Sequence, residues 1–223
     1  MRCKKHVILM FGANSLHGQR LALEREARTV QSEIDRARYR DQFELQTWWA
    51  AESLDLLAGL RRFRPSIVHF SGHGSQPTAD PAPGHAVCRD IGSSVHGNCC
   101  VGLCFQRPNG GVEVVSPGAL KDTFRAVGAS VRLVVLSACN SEPEARALRA
   151  HVDCVTWMRG PIQDDAAIHF ATGLYGGIAG GDTIADAFDQ GVAALHLKGL
   201  PGRPQLMVRS GGEPDPVRPI VRR

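Results

Sequence analysis

Apolar residues along this chain follow two alternating patterns. Short unbroken runs recur at Val7-Ile8-Leu9-Met10-Phe11, Ser66 to Phe70, Val131 to Leu136 and Cys154-Val155-Thr156-Trp157-Met158. Runs of this length bounded by turn residues read as strands covered on both faces. Phe43 to Trp48 alternates instead, and Gln205 to Val208 is a short final candidate. Between these runs, apolar residues recur at helical three-and-four spacing. Leu23, Ala27, Val30, Ile34 and Ala37 form one such face, and Leu54, Leu57 and Leu60 form the next. Ser53 can cap that second helix, which stops before Pro65. Ser116-Pro117 opens a helix faced by Leu120, Phe124 and Val127, with Pro in its preferred first position. Ser141-Glu142-Pro143-Glu144 fits a capping box. Asp164 can cap a helix faced by Ala167, Phe170, Ala171, Leu174 and Ile178, and a last helix carries Ile184, Phe188, Val192 and Leu195.

Strand and helix alternate throughout, which implies an α/β fold with a mostly parallel sheet and helices on both faces. Two features interrupt the rhythm. Residues 75–100 are rich in Pro, Gly, Ser, Cys and His and read as a long loop insertion. Val101 to Phe105 and Val112 to Val115, joined through Arg107-Pro108-Asn109-Gly110-Gly111, read as a β-hairpin insertion. The expected organisation is one domain over residues 1–211, followed by a Pro-rich, charged and mobile tail over 212–223.

Composition narrows the function. The formal net charge of +4 in 223 residues is mild, and no Lys/Arg stripe interleaved with aromatics marks a nucleic-acid surface. No apolar run approaches a membrane span, and Val7 to Phe11 is too short for a signal-peptide core. A cytoplasmic location is therefore expected. The seven cysteines lack regular spacing, as free thiols in a reducing compartment do.

The chemistry concentrates where two apolar runs stop. Val68-His69-Phe70-Ser71-Gly72-His73-Gly74 ends on an imidazole, and Val134-Val135-Leu136-Ser137-Ala138-Cys139-Asn140-Ser141 ends on a thiol. In a parallel sheet the strand C-termini share one edge, where ligands bind. A His beside a Cys can lower the thiol pKa and later protonate a leaving group. His before Cys, each after its own strand, is the chain order of caspase-like peptidases.

Ser71-Gly72-His73-Gly74 and Leu136-Ser137-Ala138-Cys139-Asn140-Ser141 resemble the paired signatures of CHAT domains, a bacterial branch of the caspase-like (clan CD) cysteine peptidases. The resemblance runs from the Val7 strand, through the helix end Arg36-Ala37-Arg38-Tyr39-Arg40-Asp41, to the helix at Asp164-Asp165-Ala166-Ala167. It implies a caspase–haemoglobinase fold and peptide-bond cleavage by a Cys/His dyad, without metal or organic cofactor. It also implies regulated proteolysis, often in bacterial defence or signalling, beside a sensor or adaptor that here is expected to be a separate protein. Carried onto this chain, it makes Cys139 the nucleophile and His73 the general acid/base. The N–H groups of Gly74 and Cys139 form the oxyanion hole. Partners are then a protein or peptide substrate, with neither nucleic acid nor membrane.

Other residues admit two readings. Asp164 and Asp165 either shape an acidic pocket selecting Lys or Arg before the cut, or Asp164 simply caps its helix. Trp157 and Met158 either wall that pocket or pack in the core. His85, Cys88, His96, Cys99, Cys100 and Cys104 resemble metal ligands, but lack the paired C-x-x-C of structural zinc, so no metal site is assigned. A docking module that keeps the fold without catalysis, or a thiol amidase or ligase using the same dyad, are the alternative functions.

Overall fold

The computed structural model describes residues 5–13, 22–75, 101–109, 111–209 and 219–221. The chain opens with β1 (His6–Ala13), α1 (Leu23–Arg36), β2 (Phe43–Trp49), α2 (Ser53–Phe63) and β3 (Ile67–Gly72). Three short strands follow: β4 (Gly74–Ser75), β5 (Gly102–Gln106) and β6 (Val112–Val115). Then come α3 (Pro117–Val127), β7 (Leu133–Ser137), α4 (Glu142–Leu148), β8 (Cys154–Met158), α5 (Asp164–Gly180), α6 (Ile184–Leu197) and β9 (Pro204–Val208).

Six strands form one sheet in the order β2-β1-β3-β7-β8-β9. All pairs are parallel except β8 with β9. This is the α/β, mostly parallel architecture that the pattern of apolar runs implies, and it is consistent with the caspase-like fold that the resemblance implies. The expected hairpin is present as β5 and β6, and β4 extends it to a small antiparallel sheet of three strands. No helix among the described residues is long and apolar enough to cross a membrane.

Alternation along the central strands divides the core in two. Ile8, Ile67, Leu133, Val135 and Met158 face α1, α5 and α6, where they meet Val30, Ile34, Phe170, Leu174 and Ile178. Leu9, Phe11, Val68, Phe70, Val134, Leu136 and Trp157 face α2, α3 and α4, and also cover Leu103 and Phe105 of the small sheet. Helices α5 and α6 approach closely because the contact is made of small residues. A Cβ on Gly173 would strike the Gln190 carbonyl, and one on Gly177 would strike Ala187.

Several local expectations differ from the structure, for identifiable reasons. Glu52, not Ser53, caps α2, through a reciprocal box with Asp55. This turns the helix so that Leu56, Gly59 and Leu60 are buried while Leu54 is 74% exposed. Asp164 is the first residue of α5 rather than its cap, since Gln163 holds that position. Ser141 does precede α4, but its side chain makes no capping bond. It is diverted to tertiary partners described below. Within the expected tail, Ile220 and Val221 are buried in the α1/α5/α6 core, and the Pro219 carbonyl accepts from Arg132 at 3.0 Å; residues 210–218 lie outside the described residues. Residues 76–100 of the expected loop, with His85, Cys88, His96, Cys99 and Cys100, lie outside the described residues.

Candidate active site

The pairing of β3 with β7 decides where the two reactive side chains go. His69 is opposite Val135, and Ser71 is opposite Ser137. Side chains two apart share a face. His69 and Ser71 therefore form one row on β3, and Val135 and Ser137 a parallel row on β7, both on the α1/α5 side. His73 and Cys139 follow just past the ends of these two strands.

Beyond the sheet edge the backbones nearly touch. A Cβ placed on Gly74 would land on the Cys139 carbonyl oxygen, so only glycine permits this approach. The His73 carbonyl accepts from Cys104 N–H of β5 at 2.9 Å. In an antiparallel ladder the residue next to a hydrogen-bonded pair is not bonded across it. Gly74, opposite Leu103, accordingly directs its N–H away from β5.

Cys139 sits on a sharp turn. Asn140, next to it, adopts left-handed φ of 53°, a conformation Asn tolerates better than most residues. Its N–H donates to the Gly160 carbonyl at 3.0 Å. The Ser141 hydroxyl donates to the Ala138 carbonyl at 3.0 Å and accepts from Met158 N–H at 3.2 Å. That bridge ties the turn to β8 and explains why Ser141 does not cap α4. The Ile162 N–H points at the Cys139 sulfur at 3.4 Å. The other described thiols sit in different surroundings. Burial pushes Cys104 up to about 11, with Glu144 adding to the effect. Burial also takes Cys154 to about 11, reinforced by Asp153.

His73 and Cys139 open into one cleft of about 970 Å³. Its walls come from the start of α1, the loop after β8, the start of α5 and residues 201–203. Asp164 and Asp165 both line it. Neither acid is idle. Asp164 accepts from Ala22 N–H at 2.9 Å, and Asp165 pairs with Arg25 at 2.8 Å. Arg159 and Arg203 line the same cleft, so its rim carries both signs of charge. Trp157 and Met158 do not reach it. They point to opposite faces of β8 and are packed in the two cores.

Sequence reading missed one acid at this cleft. Glu26 of α1 is 3% exposed and lines the wall beside Ser71 and Ser137. Its carboxylate accepts from the Ser71 hydroxyl at 2.5 Å, the Ser137 hydroxyl at 3.1 Å and His69 Nε2 at 3.1 Å. Burial alone would raise its pKa. The charge and hydrogen bond of His69, with the two serine hydroxyls, outweigh that and hold it below the usual carboxylate value. His69 Nδ1 meets the Tyr175 hydroxyl of α5 at 3.0 Å. The sequence did carry a signal: Glu26 shares the helix face of Leu23, Ala27, Val30 and Ile34, where a charge has no place unless it is paired.

The family model for the CHAT domain matches residues 5–197. No curated protein matches the chain. The match spans every element from β1 to α6, including both strand ends that carry the His and the Cys. The chain belongs to the CHAT-domain family, which is linked to the caspase-like cysteine peptidases.

Proposed function

We propose that this chain is a cysteine endopeptidase acting through Cys139 and His73. The observation that carries the reading is that His73 and Cys139, just past the ends of the paired strands β3 and β7, line one cleft, with Gly74 closed against the Cys139 carbonyl. The Cys139 thiol gives its proton to His73 as its sulfur attacks the carbonyl carbon of the scissile peptide. The oxyanion is held by the N–H groups of Gly74 and Cys139. His73 protonates the departing amine, leaving a thioester. Water, deprotonated by His73, attacks the thioester and releases the acid and the thiol. The Ile162 N–H points at the attacking sulfur and helps to orient it.

Asp164 and Asp165, at the cleft wall, are the proposed contacts to substrate. Because both are engaged, by Ala22 N–H and by Arg25, the charge they offer a Lys or Arg side chain is reduced. Trp157 and Met158 act on the pocket only through packing of β8. We place the enzyme in the cytoplasm as a regulated protease of bacterial defence or signalling. Its catalytic domain includes residues 219–221, which complete the α1/α5/α6 core, and a sensor or adaptor switches it on.

An unbiased peptide library, read by mass spectrometry with Cys139→Ala alongside, tests the reading. Cuts made by the wild-type chain and lost in Cys139→Ala support it, and the residue before the cut measures how acidic the pocket is in effect. Transfer of the acyl group to an added amine in place of water would favour the ligase alternative, and hydrolysis of simple amides with no cut in any peptide would favour the amidase. Equal behaviour of both proteins, with Cys139 labelling no faster than Cys104 or Cys154, would favour a docking module.

A further inference from the structure

One cluster of buried polar groups has no part in the reaction as written. Glu26, His69, Ser71, Ser137 and Tyr175 form a polar layer directly beneath the dyad, between it and the apolar α1/α5/α6 core. Each of the two strands enters the layer one alternation before its reactive residue: Ser71 two positions before His73, Ser137 two before Cys139. One carboxylate, reaching down from α1, accepts from both serines. It also accepts from His69 Nε2, which contacts Ser137 at 3.1 Å as well. The stacked ring of Tyr175, 5.8 Å from the imidazole and tilted by only 7°, closes the far side. Burial, then the Glu26 charge, holds the Tyr175 phenol well above its ordinary value, so the ring keeps its proton.

Such a layer is costly where it sits. A carboxylate withdrawn from water loses several kcal/mol of hydration, recovered only when its acceptor sites are filled. Apolar side chains of similar volume would hold α1 to the sheet at least as well. What they cannot do is brace the end of the β3–β7 ladder against α1 through directional bonds, at the last paired residues before the reactive ones. We propose that Glu26 is a positioning residue for the peptidase reaction: by bonding Ser71 and Ser137 through one carboxylate, it braces the end of the ladder and so holds the placement of the two segments that carry His73 and Cys139 just beyond it. The proposal rests on the peptidase reading above. It also assigns His69, a residue inside the first motif, to orienting that carboxylate.

The test is a double-mutant cycle on the rate at which iodoacetamide alkylates Cys139, followed by peptide mass spectrometry at near-neutral pH. Glu26→Gln keeps the side-chain length but replaces one acceptor oxygen by a donor. In the chain with His73 intact it should slow Cys139 alkylation about tenfold, the size of effect a small misplacement of a reacting pair produces. In a His73→Ala background the same substitution should change the rate less than about twofold, because nothing remains to be positioned. Ser71→Ala, which removes one of the three bonds, should act in the same direction with a smaller effect. On a cleavable peptide, kcat should fall with little change in KM.

Equal slowing by Glu26→Gln in both backgrounds, or no slowing in either, overturns the proposal and leaves the peptidase reading standing. So does new labelling of Cys104 and Cys154 in Glu26→Gln, which would make the layer a support of the whole fold. A wild-type chain whose Cys139 reacts no faster than in His73→Ala overturns the peptidase reading itself, and the positioning role with it.

Discussion

Gly74 is the residue on which the two halves of the site meet. Its missing side chain lets the turn after β3 lie against the Cys139 carbonyl. In Gly74→Ala the new methyl must displace main chain on one side or the other, and main chain cannot yield as a flexible side chain does. Peptide cleavage should fall about a hundredfold, the scale of a displacement of roughly 1 Å between reacting groups. Thermal unfolding should shift by only a few degrees, and a steady-state assay beside a melt separates the two effects. This position, like His73 and Cys139, is legible in sequence, because an apolar run that stops at small residues marks a strand end. Glu26 and Tyr175 are not legible in that way. They arrive from α1 and α5, far from the motifs in sequence, and only the packing of those helices on the β3–β7 rows brings them in. His69, Ser71 and Ser137 stand inside the motifs, yet read as spacers until their bonding partners are known.

At the scale of elements, side chains that look like helix caps have been taken for other work. Ser141 ties the Cys139 turn to β8, and Asp164 holds the Ala22 N–H at the start of α1. A capping pattern records which residues can bond locally, not which bond wins once a sheet is present. Glu144 of α4 shows the same override. Read as the far member of a capping box, it is instead 2% exposed beside Cys104, and burial raises its carboxyl to about 7. Its folded pKa lies above the ordinary value of 4.5, so the folded state holds the proton more tightly. That contribution to stability is fully present below about pH 4.5 and is lost as pH rises through about 7. Urea unfolding at pH 5 and pH 8 should show the wild-type chain losing up to about 3 kcal/mol more than Glu144→Gln, which stays neutral throughout. Identical pH dependence in the two proteins would remove Glu144 from the account.

Across the whole molecule, the sheet separates two cores, and the chain returns at its far end to finish one of them. Ile220 and Val221 pack into the α1/α5/α6 side, anchored through Pro219 to Arg132, which also reaches Asp153. Composition hides this, because two apolar residues among prolines and charges carry no periodicity to read. Replacing both by Ala should lower the free energy of unfolding by roughly 3 kcal/mol, as lost burial and a residual cavity dictate. The measurement is the urea midpoint at constant slope. The same core backs the polar layer, so Cys139 alkylation in this variant reports whether α1 keeps its place when its support loosens.

The ladder between β4 and β5 bears on how a CHAT-domain chain of this kind can diversify. Ser75 and Gly102 are partners across that ladder, so the chain between them leaves and returns at one point on the molecule. Closing a longer loop costs only about 0.6 kcal/mol for each doubling of its length. Sequence can therefore be spliced in or trimmed out there with little effect on the sheet, and every insertion emerges only two residues, Gly74 and Ser75, beyond the imidazole.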